Sequence, residues 1–381
     1  MPSKGLQYYL NKLNPSMVTY ARELKGVTKK ELAESLRKTP ATISRIESGD
    51  LRPDIETFFS LSRVLNVEPQ FLSRDENDFL AFDISRIHFR GQRKASATQK
   101  KMLIRQGEAV SDVFNFFKKR GISFPSDNIS DLSTPAQTQY DIEELSIELR
   151  KRLNLGFGPI SNLTNSLECN GYTIIKLENG HGFSIDAFSS MSGKTPTIVL
   201  CPHESSSRAL FSIAHEIGHL LLHEYTDGSM QQEKEANYFA SSFLMPWKSF
   251  KDECPKRWNY TAFSELKKRW KLSIGAMLYR AKQLNIFSDS TYIRAIKQMK
   301  YSGTSIHEPN EPDTEKVSLF SEAISLLIDN NIKINEIEEQ TGHKRKNIID
   351  ILIAQDVDQE LVSRFIPGNT QERKPLVQMM P

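Results

Sequence analysis

Long apolar runs are missing from this chain of 381 residues. No window approaches the roughly 18 consecutive apolar residues of a membrane span, so no membrane association is expected. The first thirty residues carry Lys4, Lys12, Arg22 and Lys25 without an apolar stretch, which excludes a secretory signal. Cysteine is scarce as well. Cys169, Cys201 and Cys254 are odd in number and widely spaced, which excludes a disulfide framework and points to a reducing, cytoplasmic compartment. None of them stands at zinc-finger spacing, and no solenoid repeat is visible. Net charge is low too, at +3.

What charge there is, however, is unevenly placed. Residues 1–74 hold twelve Lys/Arg against eight Asp/Glu, and Arg86 to Arg120 holds ten against two. A basic front half on a nearly neutral chain reads as nucleic-acid contact or as a solvated linker. With 38% hydrophobic and 25% charged residues, whole-chain disorder is excluded. At roughly 150 residues per domain, the length predicts two or three domains.

Residues 15–73 read as compact and helical. Thr28-Lys-Lys-Glu31 is a capping box, and Thr39-Pro40 is an N-cap followed by an N1 proline. The helix from Pro40 buries Ile43 and Ile46 and stops at Gly49, and Asp54 caps a further helix. Residues 75–145 read as looser helix, ending in a linker-like Ser/Asp/Thr/Pro stretch from Phe124 to Pro135. Tyr172–Leu177 and Thr195–Leu200 are short β-branched runs, and the latter offers a sheet edge for an extended substrate. Beyond Pro246 the pattern is helical again. A polar break between Tyr301 and Asp313 precedes a last helical segment, in which Ile334–Gly342 followed by Lys344-Arg-Lys has a helix-turn-helix flavour or forms a small packing domain.

The strongest chemical signal is Ala214-His-Glu-Ile-Gly-His-Leu-Leu-Leu-His223. His215 and His219 stand four apart on a helical pattern, so both imidazoles project from one face at the separation that two ligands of one tetrahedral metal require. Glu216 adjoins the first ligand, where its carboxylate can reach a metal-bound water as general base. The bland alternative is two histidines on an amphipathic helix. A second helical pattern, Glu233-Lys-Glu-Ala-Asn-Tyr-Phe-Ala to Leu244-Met-Pro246, offers Glu233 or Glu235 as third ligand, and Asn237 shares a face with Glu233. His223 reads as a supporting or helix-end residue, His203 as part of a surface loop, and His181 as a weaker oxyanion candidate.

Two resemblances follow from these residues. Val27-Thr-Lys-Lys-Glu-Leu-Ala33, Ile43-Ser-Arg-Ile-Glu-Ser-Gly49 and Pro53-Asp-Ile-Glu-Thr-Phe58 resemble the helix-turn-helix domain of XRE/Cro-type repressors. That implies a double-stranded DNA operator, met by Thr39, Pro40, Ala41, Thr42, Ser44 and Arg45, and a possible homodimer on paired half-sites. A protein-binding helical bundle is the other reading of the same helices. The His-Glu-x-x-His helix, Glu-x-Glu-Ala-Asn-x-Phe-Ala and Leu-Met-Pro resemble the ImmA/IrrE family of metallo-endopeptidases. That family implies Zn2+ on His215, His219 and Glu233, Glu216 as general base, and cleavage of a repressor or antitoxin, or of the chain itself. Phe89–Ala97, Leu155–Asn162, Asp186–Phe188, Trp270–Ile274 and Tyr279–Ala281 are similar to stretches of chains that join the two domains.

The expected architecture is multidomain α+β: an all-α helix-turn-helix head, an α/β zincin-like metallopeptidase core with a small sheet, and a helical C-terminal region. The expected boundaries are 1–75, a basic helical linker region at 76–145, the peptidase domain at 146–300 and a small helical domain at 310–381. The expected function is a regulator that controls stress, phage or mobile-element genes by proteolysis. The alternative is a non-proteolytic transcription factor whose peptidase-like domain senses a ligand or metal.

Overall fold

Side-chain caps fix most helix starts in the first part of the chain. α1 (Leu6–Asn11) precedes α2 (Pro15–Lys25), where Asn14 accepts the Ser16 N–H. α3 (Lys29–Ser35) opens on the expected capping box, with Thr28 and Glu31 each accepting the other's backbone N–H. α4 (Pro40–Glu47) starts at Thr39 with Pro40 at its first position, and Asp54 caps α5 (Ile55–Leu65). Met17, Val18, Leu32, Ile43, Ile46, Phe58 and Leu61 are buried between these helices. Arg22 and Glu47 form an ion pair at 2.6 Å that ties α2 to α4.

The structure is a computed structural model that describes residues 5–75, 79, 81–89, 95–135, 138–178, 185–192, 194–202, 205–225, 227, 229–304 and 308–366. The chain divides into two compact units. One comprises residues 1–78, 112–122 and 318–381, the other residues 79–111 and 123–317. The long helix α6 (Ala97–Lys119) runs from the second unit into the first. His181, His203 and most of the stretch from Phe89 to Ala97 lie outside the described residues.

The second unit holds a four-stranded sheet in the order β1-β3-β4-β2, from β1 (His88–Phe89), β2 (Thr173–Lys176), β3 (Ala187–Ser192) and β4 (Thr195–Leu200). β2 runs parallel to β4, while β3 is antiparallel to both β4 and β1. β4 therefore lies inside the sheet, not at the open edge that the sequence reading gave it. A short β-branched run looks the same at an edge and in an interior, because burial on both faces erases the alternation. The same unit holds α7 (Gln139–Arg152), α8 (Leu163–Glu168), α9 (Ser206–Leu222), α10 (Met230–Leu244), α11 (Trp247–Glu253), α12 (Tyr260–Trp270), α13 (Ile274–Gln283) and α14 (Asp289–Tyr301), of which α8 and α9 pack on the sheet.

One apolar core joins the sheet residues Ile174, Ala187 and Ile198 to Ile213 and Ile217 of α9 and Phe239 and Phe243 of α10. The stretch 124–135, linker-like in composition, is packed onto this unit. Ile129 is fully buried, and Thr134 donates its N–H to Leu221 O. Asp127 accepts the amides of Ile129 and Ser130, a local turn that composition alone does not separate from a linker.

Two buried arginines hold loops of the same unit. Arg150 donates to Gly156 O and Phe243 O, each at 2.6 Å, and to Gly158 O. Arg280 donates to Met245 O and forms an ion pair with Glu143. Residues 308–317 form a strap with three carboxylate anchors. Glu308 accepts the Ile274 N–H at 2.8 Å, Glu311 the Ser207 N–H at 3.1 Å, and Glu315 the Leu163 and Thr164 N–H groups. Those amides begin α13, α9 and α8, where unsatisfied donors and the helix dipole favour negative charge. Lys267 is fully buried between Glu308 and Glu311.

The last helices, α15 (Leu319–Asp329), α16 (Ile334–Thr341), α17 (Arg345–Ala354) and α18 (Gln359–Phe365), belong to the first unit. Asn66 and Asn347 hydrogen-bond at 2.8 Å, and Val67 bridges His343. Arg74 donates to both oxygens of Asp112, whose Oδ2 lies 3.2 Å from His343 Nε2. Burial pushes the Asp112 carboxyl up, but the hydrogen bonds from Arg74 and the adjacent His343 imidazole outweigh it and leave it below the ordinary range.

Candidate metal centre and nucleic-acid interface

α9 begins at the Ser205 cap and runs for 17 residues, long enough to carry His215 and His219 one turn apart on a buried face. α10, capped by Ser229, packs against it. The approach is close because Gly218 has no side chain: a Cβ there would lie 3.1 Å from the Phe239 ring and 3.2 Å from Ala236 Cα. Glu233, in the first turn of α10, is thereby brought to the two imidazoles.

The three groups converge. His215 Nε2 and His219 Nε2 lie 3.0 Å apart, and Glu233 oxygens lie 3.7 Å and 3.4 Å from them. Zn–N bonds of about 2.0–2.1 Å in a tetrahedron set ligand separations near 3.3 Å, so this donor set fits zinc. Both histidines are buried, whereas the Glu233 side chain is 37% exposed, so the group reaches solvent on the Glu233 side. Among the described residues no other His, Cys, Asp or Glu cluster of this kind occurs.

Neighbouring side chains set the imidazole tautomers. Asn237 Oδ1 lies 3.2 Å from His215 Nδ1, and an amide oxygen can only accept, so the proton sits on Nδ1 and Nε2 carries the lone pair. Asn237 also donates to Glu233 O at 2.7 Å, which links one ligand's ring to the other's backbone. On the second ring, a carboxylate oxygen of Glu235 lies 2.9 Å from His223 Nε2 and accepts its proton. His223 Nδ1 then accepts from His219 Nδ1 at 3.1 Å, leaving the lone pair of His219 Nε2 toward the group. Three lone-pair donors facing one another repel unless a cation lies between them. The geometry thus brings Glu233 to the histidines and engages Glu235 elsewhere.

Glu216 is fully buried and accepts a hydrogen bond from the Ser189 hydroxyl of β3 at 2.8 Å. No sequence signal marks Ser189. The contact spans 27 positions and joins a strand to a helix, so no periodic pattern records it. The role of Glu235 was equally hidden, because its partner His223 lies on another helix. A cavity of about 610 Å³, lined by Phe211, Asn237, Tyr279, Ile296 and Met299, adjoins the group through Asn237.

On α4, Thr39, Pro40, Ala41 and Arg45 are exposed, while Thr42 and Ser44 are half-buried. The Thr39 and Thr42 hydroxyls lie 2.9 Å apart, and Lys29 donates to the Ser44 hydroxyl at 3.1 Å. Arg45 is an exposed cation of α4, and Lys29 and Lys30 are exposed at the start of α3.

A helix pair presenting polar side chains, and a His-His-Glu group with both histidines buried on two packed helices, define a two-part class: a nucleic-acid-binding head joined to a metallopeptidase-type unit. Residues 18–72 match the family model described as helix-turn-helix, and residues 171–282 match the one described as IrrE N-terminal-like domain, a peptidase family. The chain therefore carries an XRE-type helix-turn-helix domain, which binds DNA, and an IrrE N-terminal-like peptidase domain with a group compatible with zinc. Comparison with curated proteins gave no match. No helix among the described residues is long and apolar enough to cross a membrane.

Proposed function

We propose that this chain is a DNA-binding regulator with a zinc-dependent endopeptidase, acting on a repressor- or antitoxin-type protein or on another copy of itself. The convergence of His215, His219 and Glu233 beside the buried Glu216 carries this reading. His215, His219 and Glu233 would hold the zinc, which when bound would supply Lewis acidity at the scissile carbonyl and make the attacking water more acidic. Glu216 receives the proton of the attacking water and returns it to the leaving nitrogen. Ser189 keeps that carboxylate oriented, and Asn237, His223 and Glu235 hold the two imidazoles in the ligating tautomer.

Thr39, Pro40, Ala41, Thr42, Ser44 and Arg45 face a double-stranded operator, with two copies of the chain on paired half-sites. Cleavage of the partner then releases stress, phage or mobile-element genes in the cytoplasm. The test is incubation of candidate repressors with the zinc-loaded chain and with Glu216→Gln. Cleavage by the first alone supports the reading, and equal cleavage by both refutes it. The cavity beside Asn237 favours one second reading, in which a small ligand there adjusts His215 and the domain reports its presence without turnover. Operator binding that responds to ligand while every neighbouring protein stays intact would select that alternative.

A further inference from the structure

We propose that the second unit carries a nucleic-acid contact of its own: a cation-rich face on α14 and on the loop before α12, which binds the phosphate backbone of duplex DNA without reading its sequence. The inference uses the helix-turn-helix assignment and not the peptidase reading. Residues 247–304, from the start of α11 past the end of α14, hold thirteen Lys/Arg against four Asp/Glu. Three of those four carboxylates are engaged, Glu253 by Arg269, Glu265 by Lys268 and Asp289 by Lys282. Lys267 and Arg280 are buried with carboxylate partners from other segments. Arg257, Arg294 and Lys297 are left exposed, with no ion pair among the described residues.

These three cations lie together. At about 100° per residue along α14, Arg294, Lys297, Gln298 and Tyr301 share one outward face, and Tyr301 is 97% exposed. Arg257 is brought to that face by its neighbour. Trp258 Nε1 donates to Gln298 Oε1 at 2.8 Å, which pins the loop before α12 to α14.

That hydrogen bond also orients the amide. An indole N–H can only donate, so the Gln298 oxygen faces Trp258 and the two N–H donors of its NH2 group face away. Two guanidinium forks, an ammonium, an amide NH2 and the Tyr301 hydroxyl therefore converge with no carboxylate among them. Such a surface fits a partner that is densely anionic and offers only acceptors. The phosphate oxygens of a DNA duplex are both, and side chains of these types make most backbone contacts to DNA. The chain already meets duplex DNA through residues 18–72. An acidic protein presents its carboxylates more sparsely and mixed with donors, and so matches this face less well.

The test is fluorescence anisotropy of the full chain on random-sequence duplex DNA across a salt series. It is run in the unmodified chain and in one with Lys30→Ala and Arg45→Ala. Each lost phosphate contact removes about 0.9 from the slope of log affinity against log salt, so Arg257→Gln, Arg294→Gln and Lys297→Gln together should lower it by about two to three in both backgrounds. The charge-keeping set Arg257→Lys, Arg294→Lys and Lys297→Arg should retain most of the slope. An unchanged slope in the neutralised variant overturns the proposal. An equal loss in the charge-keeping set does so too, because it reports a disturbed fold instead of lost charge. A second readout needs no variant: saturating duplex at low salt should slow acetylation of Lys297 at least about fivefold, and polyglutamate at the same ionic strength should not. Protection by polyglutamate and not by DNA would assign the face to an acidic protein and sink the proposal. Proteolysis enters none of these measurements, so they succeed or fail independently of the peptidase reading.

Discussion

The Ser189 hydroxyl donates to Glu216 Oε2 at 2.8 Å, and neither residue is exposed. A hydrogen bond to a charged group is worth about 1.5–3 kcal/mol, so Ser189→Ala should lower kcat about tenfold or more. Zinc content should be unchanged, and Ser189→Thr should keep most of the activity. Steady-state kinetics beside metal analysis checks this; a loss of zinc in Ser189→Ala would mean a structural role instead.

Glu233 and Glu235 should separate by metal affinity. Glu233→Gln removes a charged ligand and should abolish stoichiometric zinc. Glu235→Ala removes only the acceptor for His223 and should weaken binding about 10–100-fold. Chelator competition measures both, and equal losses would contradict the tautomer chain from Glu235 through His223 to His219.

In the first unit, Asp112 should govern acid stability. Its carboxyl is held below the ordinary range, so its contribution is fully present above the unfolded carboxylate value of about 4 and is lost as pH falls through the folded value. Asp112→Asn removes a buried carboxylate that Arg74 holds through two hydrogen bonds, which should cost about 3 kcal/mol at neutral pH. Urea unfolding at pH 7 and pH 3 tests this. The variant should lose less stability between those two pH values than the parent does.

DNA binding should be salt-dependent through α4. Arg45→Ala should weaken operator affinity and relax base preference at one position, by about 1–3 kcal/mol if the guanidinium reads a guanine. Lys30→Ala should instead weaken all sequences alike and reduce the salt slope by about one. Fluorescence anisotropy across a salt series distinguishes the two.

Local signals were legible in the sequence. The Thr28–Glu31 capping box, the Thr39-Pro40 start and the Asp54 cap each reside within four residues and fold as they read. The histidine pair was legible for the same reason, since a helix turns its own spacing into geometry. The family resemblance, not the local pattern, separated Glu233 from Glu235, and Asn237 bonds back to the Glu233 carbonyl one turn earlier. Contacts between distant segments were not legible. Ser189 on Glu216, Asn66 on Asn347 and the interior place of β4 depend on which segments meet, and no single segment records that. Arg150 gathers the carbonyls of Gly156 and Gly158, and Arg280 holds Met245 of Leu-Met-Pro.

The strap at 308–317 bears on how this protein can be cut into pieces. Lys267 has its carboxylates from Glu308 and Glu311, which lie well past residue 282, where the match to the peptidase family ends. A fragment trimmed to that match would enclose a lone ammonium and leave the first turns of α13 and α9 without their acceptors. Truncations intended to isolate the peptidase-type unit should therefore extend through Val317, and insolubility of shorter ones would say nothing about activity.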